Sequence, residues 1–304
     1  MIQDEKLRPK GVFLVGVPGT GKSFSAKYCA SLLGWSLVEF NISTILEKEN
    51  PISTLHLVFS YLQDLSQKGE KFVLWIDEIE KAFIGEKSAE RRLFGQLLTI
   101  LNDLNTDTGY RINGIFWITA NNVGDIVKTN PELFRRGRFD ELFFVDNPLK
   151  EDAKKMVEYY AKYYGVEYKG DLAEDVVITA EVIYKTEMTK GSTDASRFIY
   201  VPSEIKEIVK SLKIRHLLKQ DWFRRNKDRE IAEILFPYAV RKKLSVVSSG
   251  YRESLDHFIN LEVSPDLSSL DVACVLAQIE PISISMASSL SVIRSNEHLF
   301  LKAD

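Results

Sequence analysis

Cysteine is scarce in this 304-residue chain: Cys29 and Cys274 are the two present. Neither belongs to a CxxC pair, which argues against a disulfide framework or a cysteine zinc site and for a reducing compartment. Histidine is little commoner. His56, His216, His257 and His298 stand far apart, and none forms an HExxH or HxxxH pair able to hold a metal. No run approaches the roughly 18 consecutive apolar residues that span a bilayer. The opening MIQDEKLRPKG is too polar for a signal peptide. Excess charge is missing too: 40 Lys and Arg against 43 Asp and Glu leave a formal charge of −3. That balance argues against a nucleic-acid binder relying on bulk charge. A soluble intracellular protein with no membrane partner is expected.

What is present is an ordinary globular composition, 45% hydrophobic, with room for one large domain or two modest ones. The first half alternates short apolar runs with amphipathic stretches, the pattern of βα units around a parallel sheet. Strands are expected at residues 12–15 (VFLV), 36–40 (SLVEF), 72–76 (FVLWI), 115–119 (IFWIT) and 142–145 (LFFV). Continuous apolar runs among them fit strands buried on both faces. Ala26, Cys29, Ala30 and Leu33 recur at helical spacing, as do Leu93, Leu97, Ile100 and Leu104; these stripes read as core faces. After Asp146-Asn147-Pro148 charged amphipathic stretches take over, which predicts a mostly helical second domain over 148–304 behind an α/β domain over 1–147. Residues 189–196 (TKGSTDAS) read as an exposed loop, and 244–261 are ambiguous.

Between the first strand and the first helix stands GVPGTGKS, residues 16–23. It fits G-x-x-x-x-G-K-[ST] in the strand–loop–helix context that motif requires. Gly16, Gly19 and Gly21 let backbone N–H groups converge on phosphate oxygens, with Val17, Pro18 and Thr20 completing the loop. The new helix, through Phe24, aims its unpaired N–H groups and positive dipole end at the same anion. Lys22 adds a point charge for the β- and γ-phosphates, and the Ser23 hydroxyl can ligate Mg²⁺. The third strand ends in Asp77 and Glu78, at the sheet edge where open α/β folds bind ligands. Asp77 is the expected second anchor of Mg²⁺, and Glu78 the carboxylate that deprotonates an attacking water. The fourth strand ends in ITANN, where Asn121 can hold that water and sense the γ-phosphate; Asn122 reads as a turn residue. Arg135 and Arg138 then flank a glycine in a short loop, suited to a forked grip on phosphate oxygens of a neighbouring copy's nucleotide. The competing reading pairs Arg138 with Asp140 as local structure, and Arg136 reads as solvent-exposed.

GVPGTGKS, VLWIDE, TAN and RRGRFD, in that order, resemble the Walker A, Walker B, sensor-1 and second-region-of-homology motifs of AAA+ ATPases. The resemblance extends to an AAA family encoded in algal plastid genomes and cyanobacteria, through DEIEKAF (77–83), RRGRFDELFFVDNP (135–148) and PISISM (281–286). It implies a P-loop NTPase fold with a five-stranded parallel sheet flanked by helices, then a smaller α-helical lid. It also implies ATP and Mg²⁺ at the boundary between subunits, a homo-oligomeric ring, usually a hexamer, and hydrolysis that drives its motion. A cytoplasmic location follows, or the plastid stroma if the chain is plastid-encoded.

Three departures stand beside the resemblance. Fifteen residues precede Gly16, few for the segment that helps hold adenine in such proteins, so either a truncated form or a base held mostly by the lid is expected. The loop after the second strand, ISTILEKENPIST, carries Glu47, Lys48 and Glu49 where threading unfoldases have an aromatic-hydrophobic-Gly pattern. The stretch RFIYVPSEIKEIVK resembles the sensor-2 helix without a clearly placed arginine, Arg197 lying nearby. The leading expectation is an oligomeric, ATP-hydrolysing remodeller of another macromolecule, protein rather than nucleic acid. A DNA-directed motor or loader rests on the basic clusters WFRRNKDRE (222–230) and RKK (241–243). A nucleotide-gated scaffold has Glu78 against it, and a small-molecule kinase would leave the finger-like arginines without a purpose.

Overall fold

The computed structural model describes residues 11–82, 88–104, 106, 108–122, 140–190, 195–225 and 266–302. Two compact units divide the chain: Met1–Asp146 with Ser288–Asp304, and Asn147–Ala287.

The first unit is built on strands β1 (Gly11–Val15), β2 (Ser36–Glu39), β3 (Phe72–Ile76), β4 (Gly114–Ala120) and β5 (Glu141–Phe144), joined by a short sixth, β6 (Leu301–Lys302). Their order is β2-β3-β4-β1-β5-β6, and every pairing is parallel. The five expected strands are therefore present. Interior β3 is buried along its whole length, as its unbroken apolar run demands. Edge strand β2 is largely exposed and correspondingly mixed in sequence. Because all strands run the same way, the loops leaving β1, β3 and β4 emerge on one edge of the sheet, and that common edge brings their residues together.

Helix α1 (Lys22–Leu33) buries Ala26 and Ala30 and stops at Gly34, whose φ of 65° is left-handed. The segment 42–54, expected as a loop, instead folds into helix α2 (Ile42–Leu46) and the start of α3 (Pro51–Gln67). Two asparagine caps explain the difference: Asn41 Oδ1 accepts the Thr44 N–H at 3.2 Å, and Asn50 Oδ1 accepts that of Ser53 at 3.1 Å. Pro51 fits the first helical position, and α3 then buries Leu55, Phe59 and Leu62. Helix α4 (Ser88–Asp103) buries Leu93, Leu97 and Ile100 on the expected face.

The second unit is helical among its described residues: α5 (Lys150–Tyr164), α6 (Leu172–Lys190), α7 (Pro202–Arg225), α8 (Ser269–Gln278) and the short α9 (Ile282–Ser285). Val157, Val176, Ile205, Ile208, Leu212 and Leu276 lie in its core. A buried ion cluster sits beside that core. Asp271 receives the Arg215 guanidinium and the Lys219 ammonium, each at 2.7 Å, and caps its own helix through Ser268. Arg197, a residue near the expected sensor-2 position, is buried and donates to the Asn147 carbonyl at 2.7 Å.

The expected boundary after residue 147 needs one correction. The chain's last stretch, read as part of the helical domain, returns to the α/β unit. Phe143 and Phe144 of β5 pair with Leu301 and Lys302 of β6. Arg294, on helix α10 (Ala287–Ser295), lies 3.3 Å from Asp146. Leu290, Ile293 and Phe300 are buried. Ile293→Ala in this return should lower stability to urea by about 2–5 kcal/mol, the cost of a cavity at a fully buried site. An unchanged urea midpoint would show that the return contributes no packing.

Candidate active site

Loop 16–21 leaves β1 and turns into α1, and its glycines make that turn possible. A Cβ on Gly16 would sit 2.2 Å from the Val145 carbonyl oxygen. Gly19 and Gly21 hold φ angles of 82° and 98°, which L side chains rarely adopt. Gly21 caps α1, so the unpaired N–H groups of its first turn open onto the loop. Val17 is buried and faces the core, while its carbonyl accepts the Thr20 hydroxyl at 2.9 Å. Pro18 is half-buried. Phe24 is the outlier among the expected binding residues: its ring is 70% exposed and stacks on Tyr28, one turn along the helix.

Lys22 is the cation at the centre. Its side chain is buried, and its ammonium donates to the carbonyls of Gly16 at 2.7 Å and Val17 at 2.9 Å. Burial pushes its pKa down to about 8, while Glu80, Asp77 and Glu78 pull the other way. From strand β4, Trp117 Nε1 donates to the Ser25 hydroxyl at 3.0 Å, and that hydroxyl donates to the Lys22 carbonyl.

The ends of β3 and β4 are clasped across the sheet. Asp77 Oδ1 accepts the Ser23 hydroxyl at 3.0 Å and also the Thr119 hydroxyl. The same Thr119 oxygen accepts the Glu78 N–H at 3.1 Å. Asn121 Nδ2 donates to Glu78 Oε1 at 2.8 Å, and the Asn121 N–H donates to Glu80 Oε1 at 2.9 Å. Glu78 has a φ of 49°, a left-handed backbone unique among the described non-glycine residues. Such conformations cost energy and concentrate at functional sites. Here the turn breaks the alternation of the strand and brings three acids within electrostatic reach of one lysine.

Lys22, Ser23, Asp77, Glu78 and Asn121 are thus brought together. Arg135, Arg136 and Arg138 lie outside the described residues, as do Phe83, the basic runs 226–230 and 241–243, residues 191–194 of the expected loop 189–196 and the stretch 244–261. Asp140, the local partner considered for Arg138, accepts the Gly11 N–H at 2.7 Å. The site fits a phosphate chain with Mg²⁺. Gly16 is packed so closely that no Cβ could stand in the cradle, and Ser23 and Asp77 offer two hard oxygens side by side. Mg²⁺ characteristically takes few protein ligands and completes its shell with water and phosphate.

Two residues in the clasp escaped sequence reasoning. Thr119 was readable from strand register, since Ile118 stands beside Ile76 and the next pair is Thr119 with Asp77. Glu80 had no such signal, because the left-handed Glu78 intervenes. Thr119→Val keeps the side-chain shape but leaves the Glu78 N–H without its acceptor. A loss of about 1–3 kcal/mol in urea unfolding is expected, whereas wild-type stability would mean that the hydroxyl is dispensable to the clasp.

Comparison with known proteins agrees with this geometry. Residues 12–147 match the model of the ATPase family associated with various cellular activities (AAA). The AAA domain-containing protein ycf46 of Guillardia theta is 34% identical over 155 residues, 47% of this chain and 27% of that protein. The ATP-dependent zinc metalloprotease FtsH of Bacillus subtilis is 34% identical over 150 residues, 46% of this chain and 22% of that protein. The chain therefore matches less than a third of the length of either relative. In three dimensions the AAA domain of FIGL-1 superposes with a TM-score of 0.59 over 98% of this chain and 80% of its own, at 15% identity, which establishes a shared fold. Residues 12–147 are an AAA domain.

Proposed function

We propose that the protein hydrolyses ATP as a homo-oligomeric ring, a hexamer in the usual AAA arrangement, and uses the cycle to remodel a macromolecular partner. The observation that carries the reading is Glu78, a carboxylate held by Asn121 in a left-handed turn beside Lys22 and the Ser23–Asp77 pair. A protein that only binds nucleotide has no use for a carboxylate oriented in this way.

In this reading the amides of loop 16–21 and the start of α1 hold the phosphates, and Lys22 neutralises them. Ser23 and Asp77 hold Mg²⁺. Bound MgATP supplies the electrophilic γ-phosphoryl group. Glu78 accepts the proton of the attacking water, and Asn121 keeps the carboxylate aimed. Arg135 and Arg138 act on the nucleotide of the neighbouring copy, a contribution of about 10³–10⁵ in rate for arginine fingers in general.

The near-neutral charge balance favours a protein partner over nucleic acid. Glu47, Lys48 and Glu49, all exposed, weigh against threading of a polypeptide through an aromatic pore loop. No single helix among the described residues is long and apolar enough to cross a membrane. A cytoplasmic or plastid-stromal location goes with this reading.

Lys22→Ala should abolish measurable ATP binding in a calorimetric titration. Glu78→Gln should keep ATP affinity while turnover falls by about 10²–10⁴; equal turnover in wild type and variant would favour a nucleotide-gated scaffold. Arg138→Ala should likewise cut turnover with affinity intact, and mixing it with Glu78→Gln should restore part of the activity. No rescue, together with a specific rate independent of protein concentration, would show that each chain works alone. Stimulation by DNA in the same assay would favour the motor or loader instead.

A further inference from the structure

Glu80 is a half-buried carboxylate that the mechanism above leaves without a task. It lies on a 3-10 turn (Ile79–Ala82) directly beyond β3, in a position that exposed polar residues often fill. Instead it turns inward. One oxygen accepts the backbone N–H of Asn121 at 2.9 Å. The other, Oε2, is buried and takes no hydrogen bond among the described residues.

The location explains the contact. Strand β3 ends at Ile76 and β4 at Ala120, so no carbonyl of the β3 ladder reaches the next N–H along β4. An N–H at a partly buried strand end still requires an acceptor, and the Glu80 side chain takes the place of the missing carbonyl. Asn121 is consequently held at two points. Its backbone is fixed by Glu80, and its side-chain amide is bound to Glu78. The direction in which Asn121 presents its amide to Glu78 is set by the backbone that Glu80 holds.

Energy considerations point the same way. Burial drives the Glu80 carboxyl above the ordinary carboxylate range, while the Asn121 N–H and, more weakly, Lys22 oppose the shift. A carboxylate with one oxygen unpaired and out of water is an expensive way to satisfy a single N–H. Groups held at such cost are concentrated at working sites.

We propose that Glu80 is a positioning residue for hydrolysis, acting through Asn121 to aim Glu78. The proposal rests on the ATPase reading above for its kinetic consequence, but not for its structural one. Glu80→Gln keeps an acceptor oxygen at the same reach, and Glu80→Ala removes it.

The test therefore has two arms on the full chain. In the first, steady-state ATP turnover of Glu80→Ala should fall by about 10–100-fold with KM nearly unchanged, because misdirection of a catalytic group affects the chemical step. Glu80→Gln should recover to within about threefold of wild type. Unaltered kcat in Glu80→Ala, or equal loss in both variants, overturns the proposal. In the second arm, amide hydrogen exchange is followed at Asn121 without nucleotide. Exchange should speed up by about tenfold in Glu80→Ala and stay near wild type in Glu80→Gln. Equal exchange in all three proteins overturns the proposal whatever the kinetics show. A wild type that does not turn over ATP yet shows this exchange pattern would defeat the ATPase reading and leave the Glu80–Asn121 link standing.

Discussion

A lysine ammonium taken out of water must be met by fixed negative groups, and the α/β unit is organised around one such ammonium. Lys22 is buried, and the loss of hydration lowers its pKa to about 8. Two loop carbonyls accept its protons, and three acids, Glu80, Asp77 and Glu78, supply the compensating field. Each compensation fixes a piece of backbone. The carbonyls of Gly16 and Val17 point inward because the glycine turn allows it. The acids cluster because Glu78 adopts a left-handed conformation that ends the strand's alternation. A polyphosphate entering this cradle would meet a cation already desolvated and oriented, and preorganisation of that kind strengthens electrostatic contacts in a low-dielectric site.

The scaffold delivers these groups by elementary means. Parallel strands place the ends of β1, β3 and β4 on one edge, so three loops distant in sequence can share a site. Small residues, Ala26 and Ala30, let α1 lie close to the sheet. Beneath it the paired strand positions of Trp75 and Trp117 supply bulk, with the Lys27 ammonium over the Trp75 ring at 5.2 Å and Trp117 bonded to Ser25. The first turn of α1 is thereby fixed from below by a tryptophan and from the side by Asp77 through Ser23.

What could be read in the sequence follows from which interactions are local. Interior strands announce themselves because burial on both faces demands unbroken apolar runs, as in FVLWI. Glycines with positive φ are visible because few other residues tolerate them, and a lysine and hydroxyl directly after such a turn leave little ambiguity. The start of helix α3 fell within a stretch expected as loop although its signals were present: Asn50 and Pro51 form a start signal, and Leu55, Phe59 and Leu62 follow at helical spacing. The exposed, charged Glu47, Lys48 and Glu49 directly before it read as loop. Thr119 and Glu80 were missed for a different reason, since their partners come from the neighbouring strand. Register recovers Thr119, but nothing local shows that the backbone at Glu78 reverses hand.

The course of the last residues has the same character. Strand β5 would be an open edge bearing Phe143 and Phe144 if the chain stopped after the helical unit, and exposed apolar edges invite pairing with other chains. Residues 301 and 302 pair with those two phenylalanines, and Arg294 meets Asp146 at the point where the α/β unit's first segment ends. An ion pair of this kind contributes little by itself. Its neighbours Leu290, Ile293 and Phe300 are buried, however, and burial of that size is what holds a terminal segment in place. The helical unit is therefore an insertion between two parts of one sheet domain. Closure of the β5 edge waits on Leu301 and Lys302, far along the sequence from Phe143 and Phe144, a non-local pairing whose entropic cost local signals cannot reveal.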